Sequence, residues 1–316
     1  MPKPFYMLRI TLAMLFVCTS LFTIAQNAAD SSKKTDDIIA DKSAGSFIEV
    51  AAGIGNKSFS GHNPAVNATG VTNQLVYNPS VGYFHKSGFS FVATGFITNT
   101  DYSSGLYQTG LAAGYDHKGK NVAEGISYTR YLSDLDKYNN NALYQNEVYA
   151  YLKKSSGVII PGLEFGYANG KYNESDIVQY KKPATGETVL VNDSTNNKTN
   201  YFSASVNLAH DFKFYKLFAK EDEFELTTSF VLNTGIDNND ATQVNPLYNK
   251  IKAVRKRKRV AATNKYELQS VALSADMEYD TGKFFLRPSV YVDYYLPSGE
   301  SKRWSSVFSI TAGFDF

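Results

Sequence analysis

The residues able to do catalytic chemistry are few. His62, His85, His117 and His210 are the only side chains that titrate near neutral pH unaided, and Cys18 is the single thiol. Serine chemistry needs a base within hydrogen-bond reach of the nucleophile, and no recognisable serine motif accompanies His62. No histidine pair or cysteine cluster has the spacing of a metal site. No glycine loop is shaped to cradle a phosphate. The stretch Asp237-Asn-Asn-Asp240 offers oxygens of the kind calcium takes, but it lacks the spaced ligands and the distal glutamate of a calcium loop, so a solvated turn is expected. No catalytic, cofactor-binding or metal-binding residue is therefore expected.

Charge says more. The sharpest local feature is a run in which Lys250, Lys252, Arg255, Lys256, Arg257, Lys258 and Arg259 fall within ten positions. Such a run attracts anions. In a cytosolic protein it would suggest nucleic acid, but no aromatic residues interleave it. A solvated run and a contact to lipid phosphates both remain open. A second set of charges recurs between apolar neighbours: Glu49, Glu147, Glu164, Asp211, Glu225, Asp276, Glu278, Arg287, Asp293 and Asp315. A charge that alternates with Val, Leu or Phe sits on the wet face of a strand whose other face is oily.

Strands must therefore position these charges. Twelve alternating segments can be drawn at 46–55, 74–85, 88–98, 106–116, 122–131, 143–153, 158–169, 200–212, 224–234, 266–279, 284–296 and 303–316. Most are ten to fourteen residues long, whereas about 9–11 residues suffice for a tilted strand to cross a bilayer. Connections after even segments are mostly short, as at 84–88, 116–121, 153–157 and 280–283, with 212–223 longer. Those after odd segments are generally longer: 56–73, 99–105, 132–142, 170–199 and 235–265, with 297–302 the shortest. Short turns on one side and long loops on the other predict a transmembrane, antiparallel, up-and-down β-barrel over 46–316. A secreted β-sandwich, with similar bulk composition, has no reason for the asymmetry.

Three features resist this reading. Pro79, Pro161 and Pro288 fall inside segments, where proline removes a ladder donor and a closed barrel has no edge to hide it; bends or bulges near one rim are expected instead. In the fifth segment Glu124 and Arg130 share parity with Val122, Ile126 and Tyr128. The stretches 177–180 and 188–191 are apolar enough to form another hairpin, leaving fourteen strands as the alternative.

At the N-terminus, Lys3 and Arg9 precede an apolar stretch at 10–24, with Ala25-Gln26 as the cleavage junction. A signal peptide is expected at 1–25, followed by a flexible periplasmic segment at 26–45. Losing Lys3 and Arg9 takes the formal charge from +2 to 0 and leaves a chain without cysteine, suited to an oxidising periplasm. Among 316 residues there are 23 Tyr, 21 Phe and 22 Gly but 1 Trp, a mixture that fits twisted strands with interfacial aromatics.

The Ala-Gln junction, the loop asymmetry and the amphipathic final segment ending in Phe316 together resemble the outer-membrane β-barrel proteins of Bacteroidota, a porin-like class. The resemblance implies that Phe316 belongs to the assembly signal read by the barrel-assembly machinery. It also implies outer-membrane lipid and lipopolysaccharide as neighbours, with the 250–259 run in an outward loop. No nucleic-acid partner and no cofactor are implied. The class includes lipid-acting barrel enzymes, but those need a His beside a Ser at the outer leaflet, and His85, His117 and His210 fall at the other end. In such a barrel Glu49, Glu147, Glu164, Glu225, Asp276, Glu278, Arg287 and Asp293 would line the lumen. They would form either a salt-bridged plug or a mildly cation-favouring pore. A passive small-solute channel is the first expectation, and a non-conducting barrel that displays its long loops is the second.

Overall fold

The computed structural model describes residues 45–57, 71–99, 104–133, 144–181, 188–243, 266–297 and 303–316. The candidate signal peptide, nearly all of the 26–45 segment, His62 and the basic run at 250–259 lie outside these residues. The elements are β1 (Phe47–Lys57), β2 (Val71–Phe84), β3 (Phe89–Asn99), β4 (Ser104–Lys118), β5 (Val122–Ser133), β6 (Asn146–Lys154), β7 (Ile160–Lys181), β8 (Thr188–Tyr215), β9 (Asp222–Gln243), β10 (Glu267–Thr281), β11 (Phe284–Tyr295) and β12 (Trp304–Asp315). Each strand pairs antiparallel with its neighbours in sequence, and β12 returns to β1 to close the barrel. The seam runs from Glu49 opposite Asp315 to Gly55 opposite Ser309. Closure matters physically because it leaves no row of unpaired backbone groups within the wall.

The period of two decides which way each side chain points. Ile48, Val50, Val81, Phe91, Leu111, Ile126, Leu163, Phe165, Val206, Phe230, Leu273, Val290, Phe308 and Ile310 all face outward and are exposed. Aromatic residues flank this belt, with Tyr83, Phe89, Phe314 and Phe316 toward the short turns and Tyr77, Tyr167, Phe202 and Trp304 toward the other end. A continuous apolar wall of this extent is unfavourable in water and favourable against lipid.

The prolines fit because a ladder breaks beside each one. The β2–β3 register skips from Tyr77 opposite Ile97 to Ser80 opposite Thr94, passing over Pro79. The β10–β11 register skips from Asp276 opposite Ser289 to Tyr279 opposite Leu286, passing over Pro288. Pairing of β7 with β6 starts at Gly162, one residue beyond Pro161. In each case the missing N–H falls where the neighbouring strand asks for none.

The strand number is twelve. The stretches 177–180 and 188–191 do pair, Val178 opposite Val191 and Tyr180 opposite Val189, but as continuations of β7 and β8. The strands β7, β8 and β9 reach 22, 28 and 22 residues, well beyond the ~9–11 needed to cross a bilayer. Much of what the sequence assigned to the loops 170–199 and 235–265 is therefore strand backbone that carries the sheet past the barrel rim. The Asp237–Asp240 stretch is part of it, paired with Lys198–Tyr201 rather than turning.

The short turns are tightly built. Gly88 has φ 97°, and its carbonyl accepts the Asp116 amide at 3.0 Å. A Cβ there would sit 2.1 Å from the Asp116 carbonyl oxygen. We expect Gly88→Ala to lose about 1–3 kcal/mol, read as a lower temperature for loss of the folded band on a heat-modifiability gel. In the longer 216–221 turn, the Asp222 carboxylate accepts the amides of Leu217, Phe218 and Ala219 at 2.8, 2.7 and 2.9 Å.

Candidate functional site in the barrel lumen

The inward positions form two layers. Toward the short turns lies a cavity of about 1330 Å³. Its mouth carries Lys118, Lys120 and Lys154, and its wall carries Tyr149, Tyr151, Glu164, Asp211, Glu225 and Asp276. These groups are held by neighbours on the same wall. Asn207 donates to Glu164 at 2.6 Å, Thr227 donates to Asp211 at 2.8 Å, and Tyr151 donates to Asp116 at 2.8 Å. Lys213 donates to Glu225 at 2.7 Å. The vestibule thus presents lysines at its rim and carboxylates along its wall. An entering solute meets fixed, already partnered charges rather than mobile ones.

Beyond the vestibule the lumen narrows to a layer of buried side chains. Phe96, Tyr131 and Tyr201 are each 1% exposed, and Val76, Tyr107, Tyr144 and Ala168 complete one connected apolar cluster from β2 round to β8. Tyr131 donates to Glu147 at 2.7 Å, and Tyr201 donates to Gln269 at 2.6 Å. The opposite arc is polar and equally buried. There Ser205 donates to Asn233 at 2.7 Å, and Asn233 donates to Ser270 at 2.9 Å and to the Tyr291 hydroxyl at 2.7 Å. A lumen-facing ring in a water-filled pore would be wet, and these are dry. The layer is a constriction made of aromatic rings on one side and a buried, hydrogen-bonded polar network on the other.

The charged residues singled out from sequence fall into three groups. Glu164, Asp211, Glu225 and Asp276 share the vestibule wall. Glu49, Glu278 and Arg287 meet near the short-turn end of the seam, where Arg287 Nη1 donates to Glu49 at 2.6 Å and Nε donates to Glu278 at 2.7 Å. The Arg287 guanidinium also lies 3.9 Å over the Phe285 ring, and Asp315 stands opposite Glu49 across the seam. Glu147 and Asp293 are buried at 3% exposure in the constricted layer. Phe316 completes the seam through its backbone, accepting from the Ile48 amide at 3.0 Å and donating to the Ile48 carbonyl at 2.9 Å.

The sequence reading missed the aromatic constriction. Its signal was present, because Phe96, Tyr131 and Tyr201 have parity opposite to Phe91, Tyr128 and Phe202.

Among the described residues, no histidine is hydrogen-bonded to a nucleophile inside the lumen. His85 Nδ1 and Ser87 Oγ are 2.6 Å apart in an exposed turn. His210 meets the Val158 carbonyl and packs edge-on against Phe212. Among the described residues, no three His, Cys, Asp or Glu side chains could together hold a metal.

No protein-family model and no curated protein sequence matches the chain. Similar solved structures include a NanC porin, at 11% identity over 84% of this chain and 98% of that one, with TM-score 0.32. The β domain of the Bordetella autotransporter Brka is 12% identical over 86% and 99%, with TM-score 0.36. Pseudomonas putida OprB is 9% identical over 90% and 96%, with TM-score 0.29. At these values the likenesses carry no argument about solute or partner, and the closed twelve-stranded antiparallel barrel rests on its own strand pairing.

Proposed function

We propose that the chain is an integral outer-membrane β-barrel of the porin-like kind, passing small solutes through a narrow lumen. The observation that carries this is the polar 1330 Å³ vestibule enclosed by an apolar outer wall. A structural barrel with no solute to admit has no need of a cavity that size. The carboxylates along the wall favour cations, and the aromatic layer limits flow, so unit conductance is small. The Ala-Gln junction after the apolar leader fits export in a bacterium of the Bacteroidota type. The final strand ending in Phe316 fits recognition by the assembly machinery, and the 250–259 run fits contact with lipopolysaccharide phosphates. No nucleic acid, cofactor or catalytic step belongs to this reading.

A second reading has its own support. The extension of β7, β8 and β9 past the rim suits a barrel that displays a surface and conducts nothing. Planar-bilayer recording separates the two, with heat-modifiable gel mobility certifying the fold. Small discrete steps with cation preference are expected from a channel. A folded wild-type protein that stays silent, and stays silent when the aromatic layer is thinned, contradicts it and leaves the display reading.

A further inference from the structure

Across β5 to β8 the outward wall carries a row of neighbouring polar positions. In register across these strands, Arg130 stands opposite Asn146, Asn146 opposite Asn169, and Asn169 opposite Asn200. One step further out, Lys171 stands opposite Lys198. Arg130, Lys171, Lys198 and Asn200 are exposed. The row is built rather than scattered. Arg130 Nη1 and the Tyr128 hydroxyl both donate to Asn146 Oδ1, at 2.7 and 2.8 Å, and Asn146 Nδ2 donates to Asn169 Oδ1 at 2.9 Å. The backbone of Lys171 is pinned from both sides by the Gln145 side chain, at 2.5 and 2.9 Å.

Height along the barrel says what meets this row. A strand rises about 3.3 Å per residue and tilts by roughly 35–45°, so Arg130, about eight residues above Val122, stands roughly 20 Å above the short-turn rim. The apolar band of such barrels is about 25 Å tall. The row therefore lies where hydrocarbon gives way to headgroups, with Val148, Phe165, Tyr167 and Phe202 on the outer wall nearby. Glu124 is the one carboxylate among the described outward side chains of β5–β8, and it lies toward the short turn. Lys171 and Lys198, directly opposite one another, repel, with Asp240 of β9 in register on the far side of Lys198, and an anion between the lysines removes the penalty that remains.

We propose that Arg130, Lys171 and Lys198, with the amides of Asn146 and Asn200, form a binding site for the phosphate of an outer-leaflet glycolipid. The site rests on the membrane reading above. The arginine fork takes phosphate oxygens in a fixed plane, the lysines supply charge, and the rings below hold the acyl chains.

The test uses the full chain folded in detergent and measures binding of fluorescent bisphosphorylated lipid A. Each basic residue contributes about fivefold, so Arg130→Gln/Lys171→Gln/Lys198→Gln binds about a hundredfold more weakly. The exposed pair Lys171→Gln/Lys198→Gln alone loses roughly thirtyfold and serves if the triple variant does not fold. Unchanged binding in these variants overturns the site. So does equal binding of phosphatidylcholine, or displacement of lipid A by millimolar inorganic phosphate, which would mark a free-anion site. A chain that folds in buffer but never in detergent removes the membrane reading and this site with it.

Discussion

Replacing Tyr131 and Tyr201 together by alanine raises unit conductance in a planar bilayer at least severalfold. These two rings are each 1% exposed, and they stand on β5 and β8, at separate points of the same layer. Each fills space that water would otherwise occupy, and a water molecule takes about 30 Å³ in the liquid. A tyrosine buries about 150–250 Å² of surface, so losing two leaves room for a file of waters past the Asn233 network. Glu147 loses the Tyr131 hydroxyl and becomes hydrated, which places a carboxylate in the widened path and strengthens cation preference. Truncation costs about 3–5 kcal/mol per ring, so folding is confirmed by gel mobility before recording. Tyr131→Phe keeps the ring and removes only the hydroxyl, and its conductance stays at the wild-type level. If Tyr131→Phe opened the lumen as far as the double alanine variant, hydrogen bonding rather than ring volume would be the barrier.

Arg287→Ala destabilises the barrel without widening the constriction. Its guanidinium joins β11 to β1 and β10 through Glu49 and Glu278, close to the seam that closes the sheet. The side chains of Arg287, Glu49 and Glu278 are 37%, 14% and 42% exposed, so the pairs lie between the surface limit and the buried limit. Exposed pairs contribute up to about 1 kcal/mol, and breaking a buried one costs about 3–5 kcal/mol. We expect a loss of about 2 kcal/mol in urea unfolding from lipid vesicles, midway between those limits. Without the arginine, Glu49 faces Asp315 across the seam, and Glu278 faces a Glu225 already engaged by Lys213. Adding Glu49→Gln to Arg287→Ala recovers part of the loss, and Arg287→Lys falls between wild type and alanine because an ammonium lacks the planar fork. Full stability in Arg287→Ala would mean the seam is held by its backbone ladder alone.

The alternation that places Leu226, Phe230 and Leu232 outward on β9 is a local property, so the barrel strands and their facing were legible in the sequence. The reach of β7 to β9 was not. Residues 192–200 read Asn-Asp-Ser-Thr-Asn-Asn-Lys-Thr-Asn, and a run of polar residue types at every position shows no period of two to detect. On β5 the apparent misphasing was real polarity on the outer wall, since Glu124 and Arg130 do point outward. The aromatic constriction escaped because a tyrosine fits either face of such a strand, and only the packing of β2 through β8 together makes those rings dry. The pairing of Arg287 with Glu49 joins residues 238 positions apart, a proximity created by closure and invisible to spacing along the chain.

The vestibule opens at the short-turn end, and the aromatic layer keeps bulky solutes from reaching it from the other. The chain has no cysteine beyond Cys18 in the apolar N-terminal stretch, so Ser274→Cys puts one thiol on the vestibule wall at almost no change in volume. A membrane-impermeant maleimide is added to intact cells and to cells whose outer membrane has been opened. Labelling of Cys only after opening is the predicted result, with labelling of intact cells appearing once Tyr131→Ala/Tyr201→Ala is added. Rapid labelling of Ser274→Cys in intact cells that otherwise carry the wild-type lumen would contradict it, because the aromatic layer would then be no barrier.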